Sequence, residues 1–142
     1  MRQTPHTRDH YPYTLDIQTR WNDNDVYGHV NNAIIYMWFD SVVNSFLIKN
    51  DLLEIGKSKT IGLVVETGCQ YFAPLSYPEI ICAGLRVEHI GTSSVRYEIA
   101  IFSQDLQAAS AQGHFVHVYV DANTRKPRPV SKAMKHKLEA IS

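Results

Sequence analysis

The chain has 142 residues, with fourteen Lys and Arg against fourteen Asp and Glu, so its formal net charge is zero when its seven histidines are neutral. At 44% hydrophobic and 20% charged it has the composition of an ordinary globular protein, and its length suits one domain over residues 1–142 around one packed core. Without a basic surplus or stripe, phosphate-led nucleic-acid binding is not expected, and no apolar run is long enough to span a bilayer.

The N-terminal stretch MRQTPHTRDHYPY lacks the apolar centre of a secretion signal, which predicts a cytoplasmic protein. Thr14 to Arg20 alternates Leu15, Ile17 and Thr19 with Asp16, Gln18 and Arg20, the period of a half-buried strand. Trp21 to Asn32 is rich in Asn, Asp and Gly and has no such period. It reads as a loop that ends at a helix cap, either Asn31 or Asn32. Ala33 to Ile48 is apolar on nearly every face and free of Gly and Pro, which predicts a long helix buried on most sides. Asp40, in the middle of that helix, is expected to need a structural partner.

Four β-rich runs follow, at Thr60 to Phe72, Glu79 to Ile90, Ser94 to Phe102 and Ala108 to Asp121, with short connections that suit antiparallel hairpins. In the third run Val95, Tyr97, Ile99 and Ile101 alternate with Arg96, Glu98, Ala100 and Phe102, predicting one face on the core and one on water or a neighbour. Ser131 to Ile141 suggests a short terminal helix. Cys69 and Cys82 lie in strand-like runs without metal-ligand spacing and are expected as reduced, buried thiols. The order of elements predicts an α+β fold in which an antiparallel sheet curves round one long helix, with a core from about residue 14 to 121.

The chemistry is concentrated in Asp23-Asn-Asp25-Val-Tyr-Gly28-His29-Val30-Asn31-Asn32. A carboxylate between a strand and a buried helix can serve as nucleophile or general base, and burial would make it more basic. Gly28 allows a tight turn or a close approach to a ligand, and the N–H groups of the first helical turn can hold a developing oxyanion. By itself, Asp25 beside a turn glycine reads as an Asx-turn or capping residue. Set in the whole motif, the catalytic reading takes precedence. Asp23 reads as a loop-ordering residue or a partner of Arg20. His29 reads equally as a structural imidazole or a substrate contact, and a metal role is not indicated, since His114 and His117 are three apart in a strand and so face opposite sides. Glu66 is expected to pair with the loop or a neighbouring subunit first and to orient water second. Tyr36, Trp38, Phe39, Tyr71 and Phe72 are core residues first and pocket residues second.

The decapeptide followed by a hydrophobic helix resembles the 4-hydroxybenzoyl-CoA thioesterase family of hot-dog-fold acyl-CoA thioesterases, over essentially Thr14 to Val120. The resemblance implies that Asp25 attacks an acyl-CoA thioester or activates water for that attack. It implies an oxyanion site at the backbone of Gly28, His29, Val30, Asn31 and Asn32, and no metal or redox cofactor beyond coenzyme A as part of the substrate. It also implies a homodimer or homotetramer with sites at the subunit interface. Some relatives carry basic residues in the turn that here reads His89-Ile-Gly-Thr-Ser-Ser94, so Ser93 and Ser94 could offer phosphate only hydroxyl and backbone donors. Arg86, Arg96, Arg125, Lys126 and Arg128 are the other candidates for the phosphates. Two further readings remain open: a hot-dog dehydratase or hydratase using Asp25 with His29, and a non-catalytic acyl-CoA binding module.

Overall fold

A computed structural model describes residues 3–142; Met1 and Arg2, where the stretch without a secretion-like centre begins, lie outside the described residues. The elements in chain order are β1 (Tyr13–Gln18), α1 (Asn32–Lys49), β2 (Thr60–Tyr71), β3 (Ile80–Ile90), β4 (Ser94–Phe102), β5 (Ala111–Asp121) and α2 (Lys132–Glu139). The strands form one antiparallel sheet in the order β1-β3-β4-β5-β2, leaving β1 and β2 as its edges. Breaks in register at Val64/Glu66 and Val87/His89 add the local twist that helps the sheet curve. This is the expected α+β hot-dog arrangement.

Helix α1 starts where Asn31, in extended conformation, accepts a 2.9 Å hydrogen bond from the Ala33 N–H. Of the two candidate caps, Asn31 is therefore the one used. Its replacement by Ala is expected to cost about 1 kcal/mol of unfolding free energy, readable by urea denaturation. The helix ends where Asp51 takes a positive φ of 59° and the Leu52 N–H bonds back to the Leu47 carbonyl at 2.8 Å.

The helix buries Ile35, Trp38, Phe39, Val42, Val43, Phe46 and Leu47 against the sheet. Phe39 meets Phe115 edge-on at 5.8 Å, and Tyr13 meets Phe46 at 5.3 Å. In a single chain, however, the sheet covers one side only. Met37, Asp40 and Ser41 lie on an exposed face, so burial on most sides is not achieved. Asp40 consequently needs no buried partner and simply accepts from the Asn44 amide at 3.1 Å.

The other face of the sheet also differs from the expectation. Residues 3–11 cross it: Tyr11 packs on Gly84 and, edge-on, on Phe102, closing a second small core with Cys82, Ala100 and Ala109. Residues 108–110 are not part of β5, because Ala108 bridges to Thr7 of this segment. At the end of β1, pairing stops at Gln18, and the Thr19 N–H turns to bond the Glu79 carbonyl. Both cysteines are free, with Cys82 buried and Cys69 half-buried, and burial raises both thiols above their ordinary range.

Gly113 shows how tightly β5 and β2 are joined. A Cβ there would lie 1.9 Å from the Gly68 carbonyl oxygen and 2.9 Å from the Cys69 Cα. Gly113→Ala must push the two strands apart, and a loss of about 1–3 kcal/mol is expected from thermal or urea unfolding.

Candidate active site

The loop between β1 and α1 is built by its own polar residues. Asp23 is almost fully buried; its Oδ2 accepts from the Arg20 N–H at 2.7 Å and its carbonyl accepts from the Asn31 N–H at 2.9 Å, tying the start of the loop to the helix cap. This agrees with a loop-ordering role, and the Arg20 guanidinium stands 3.7 Å from its other oxygen. Beyond it, Asn24 bridges to Val30, the Asp25 N–H donates to the His29 carbonyl at 2.8 Å, and the Gly28 N–H donates to the Asp25 carbonyl at 3.1 Å. The turn closes because Gly28 takes a φ of 80°, in the left-handed region.

Asp25 stands at the centre of this loop. Its Oδ1 accepts from the Tyr27 N–H at 2.8 Å and more weakly from the His29 N–H at 3.4 Å, an Asx-type arrangement that fixes the carboxylate. Oδ2 accepts no hydrogen bond among the described residues. Asp25 is only half-buried in one chain, so the desolvation anticipated for it is not supplied by this protomer alone.

Hydrogen-bond partners also separate the expected oxyanion donors. The N–H groups of Gly28, His29, Val30 and Asn31 all have acceptors within the chain: the Asp25 carbonyl, Asp25 Oδ1, the Leu75 carbonyl and the Asp23 carbonyl. The Asn32 N–H, at the first position of α1, has none among the described residues. Asp25, His29, Val30, Asn32 and Ile35 share a cleft of about 350 Å³ with Tyr71 to Leu75. Burial, seconded by the Cys69 thiol, pushes the Tyr71 hydroxyl well up, so it faces this cleft as a neutral phenol. Asp25 also borders a second depression of about 400 Å³ with Trp21, Asn24, Val26 and Gly28.

The segment Ala73-Pro-Leu-Ser-Tyr-Pro78, read from the sequence as a mere connection, forms the second wall. The Val30 N–H donates to the Leu75 carbonyl at 2.7 Å, the Ser76 hydroxyl donates to the Gly28 carbonyl at 2.9 Å, and the Tyr77 N–H donates to the Asn24 side chain at 3.1 Å. Its Pro and Ser content marked it only as a turn; its role comes from contacts across some fifty positions of sequence. Nearby, Trp21 and Tyr77 meet edge-on at 6.0 Å, and Trp21, Val26 and Tyr27 are largely exposed.

The residues considered for phosphate lie elsewhere. Ser93 and Ser94 sit at the β3–β4 turn, whereas the Asp25 loop contacts the segment that leads into the beginning of β3. The length of β3 separates the two within one chain, roughly 30 Å. Arg86 donates to Glu98 at 2.7 Å, and Arg96 reaches Glu88 at 2.7 Å and Glu66 at 3.2 Å, so both guanidinium groups are already paired. Glu66 joins Arg96 and His114 on the outer face and does not meet the loop. Arg128 pairs with Asp121 at 3.4 Å.

A hot-dog sheet and helix with a fixed carboxylate and an unpaired helix-start N–H on one cleft are suited to cleavage of an activated acyl group. Comparison with known families agrees: residues 19–138 match the model of the thioesterase-like superfamily, and the chain belongs to that superfamily. Among solved structures, the PA5185 protein of Pseudomonas aeruginosa strain PAO1 is 43% identical, with a TM-score of 0.94 over 97% of this chain and 96% of that one. A thioesterase from Thermus thermophilus, solved with coenzyme A and Zn, is 24% identical, with a TM-score of 0.78 over 94% and 96%. A 1,4-dihydroxy-2-naphthoyl-CoA thioesterase from Synechocystis is 17% identical, with a TM-score of 0.80 over 89% and 94%, and at these identities the last two speak for the fold alone. The curated proteins contain no match. Among the described residues no helix is long and apolar enough to cross a membrane.

Proposed function

We propose that the protein hydrolyses an acyl-CoA thioester to the free carboxylate and coenzyme A, with Asp25 as nucleophile or general base. The observation that carries this reading is the juxtaposition, on one cleft, of Asp25, whose Oδ2 accepts no hydrogen bond among the described residues, and Asn32, whose backbone N–H has no acceptor among them. As a base, Asp25 takes a proton from water as the water oxygen bonds to the acyl carbon. As a nucleophile, it forms an acyl anhydride that water then opens. In either case the C–S bond breaks, and the coenzyme A thiolate leaves and is protonated. Charge developing on the acyl oxygen would be met by the Asn32 N–H and the positive end of α1. Superfamily membership supports the reaction class.

Two chains complete the site in this reading. The half-buried Asp25, the exposed face of α1 and the open edge of β2, with Val64 and Val65 exposed, all leave apolar or reactive surface that a second copy would cover. We therefore expect a homodimer or homotetramer, checked by light scattering on the purified protein. The phosphates of coenzyme A would be met by groups other than Arg86 and Arg96, which are paired within the chain, either Arg125 and Lys126 or residues of the second chain.

A thiol-release assay across short, medium and aromatic acyl-CoA substrates tests the proposal. Turnover of at least one class is expected. Tight coenzyme A binding without any turnover would assign a binding module instead. Loss of the conjugated double bond of an enoyl-CoA would assign a hydratase, although the His29 ring makes no hydrogen bond to Asp25 among the described residues.

A further inference from the structure

On the face of the sheet opposite α1, away from the Asp25 cleft, His6, His10 and Glu98 converge. The His10 Nε2 lies 3.0 Å from Glu98 Oε2, the His6 Nδ1 lies 3.9 Å from that same oxygen, and the three donor atoms are all within 4.8 Å of one another. The two imidazole rings are stacked, with centroids 4.0 Å apart and planes inclined by 28°. From these distances we infer a divalent transition-metal site, of the kind that takes Zn²⁺, with His6, His10 and Glu98 as ligands and water completing the coordination.

Ligands bound to one tetrahedral metal at about 2.0–2.2 Å stand roughly 3.4 Å from each other; the two distances to Glu98 Oε2, 3.0 and 3.9 Å, bracket that spacing, and the stacked rings must turn on their side-chain bonds so that both nitrogens face one ion. Two imidazoles and one carboxylate are a donor set that suits such a metal. Glu98 is already oriented for it: Arg86 holds Oε1 at 2.7 Å and leaves Oε2 facing both rings, the way an outer partner positions a ligating carboxylate. The Tyr11 hydroxyl, 2.8 Å from His6 Nδ1, and the His10–Glu98 hydrogen bond at 3.0 Å are the contacts that the metal must displace. The trio opens onto a cavity of about 220 Å³, which leaves room for bound water.

The sequence spacing could not show this group, because Glu98 is 88 positions from His10. The site would join the N-terminal segment to β4, adding to the His6–Gln112 and Arg8–Ser103 hydrogen bonds that hold it on the sheet. Its role is structural and does not depend on the reaction proposed above.

The test uses tag-free, full-length protein freed of metal with a chelator. Titration with Co²⁺, followed by its visible absorption and by competition with Zn²⁺, is expected to show one equivalent per chain. The thermal midpoint should rise with Zn²⁺ and fall again with chelator. His6→Ala and His10→Ala, at partly exposed positions, and Glu98→Gln should each weaken binding roughly tenfold or more, whereas His136→Ala, on exposed α2, should bind as the parent protein does. Absence of saturable binding, or equal affinity in the His6, His10 and parent proteins, would overturn the assignment.

Discussion

Asp25→Asn is expected to lower kcat for acyl-CoA hydrolysis by roughly 10²–10⁴-fold while leaving coenzyme A affinity and the thermal midpoint near their original values. The substitution is well matched to the loop. Oδ1 of Asp25 accepts the N–H groups of Tyr27 and His29, and the amide oxygen of Asn can accept both in the same way. Only Oδ2, which has no partner among the described residues, is replaced by an NH₂ group that can neither attack a thioester nor take a proton from water. Asp25→Ala is a poorer test, since it also removes the Asx turn that shapes the loop. Asp23→Asn gives the contrast: that carboxylate is almost fully buried and faces Arg20, so its replacement should appear in stability first and in turnover second. Hydrolysis that persists undiminished in Asp25→Asn would remove Asp25 from the mechanism and leave the superfamily assignment standing.

The elements legible in the sequence are those set by short-range rules. The alternation of Val95, Tyr97, Ile99 and Ile101 gave β4 its observed bounds, and the loop Asn residues gave the cap of α1 to within one position. What remained hidden depends on contacts distant in sequence. The outer face of β4 looked polar or free because nothing in Arg96, Glu98, Ala100 and Phe102 announces that Tyr11 will lie across it. Nor does any local pattern tell that Arg86 and Arg96 are engaged by Glu98, Glu88 and Glu66. In the site, Asp25 stood out as a residue type beside Gly28. The reduction of five possible oxyanion donors to the Asn32 N–H required knowing which carbonyls Leu75 and Asp23 bring to the loop.

Lowering the pH from 6.5 towards 4 should cost the folded protein roughly 3 kcal/mol through His117 alone. Its ring is almost fully buried in the core among Phe115, Tyr97 and Tyr119, and Gly62 on β2 leaves the space it occupies. Nδ1 lies 3.3 Å from the Tyr119 hydroxyl, and Nε2 has no hydrogen-bond partner among the described residues. With no carboxylate beside it to favour the charged form, burial pulls the His117 pKa down from 6.5 to about 4. Between those values the unfolded chain binds a proton that the folded chain refuses, so stability rises with pH there and is lost as pH falls. Once the pH is below about 4, both states are protonated and the loss is complete. Urea denaturation across this range, from neutral pH downward, measures the effect directly, and His117→Phe should flatten that part of the curve, with His117→Gln as a second variant if Phe overpacks the site. An unchanged slope in a folded variant would assign the acid sensitivity to other groups. Because Tyr97 and Tyr119 bond each other at 2.7 Å beside the ring, a proton forced onto His117 strains a buried polar pair at the centre of β4 and β5, which is why the loss should be global rather than confined to one strand.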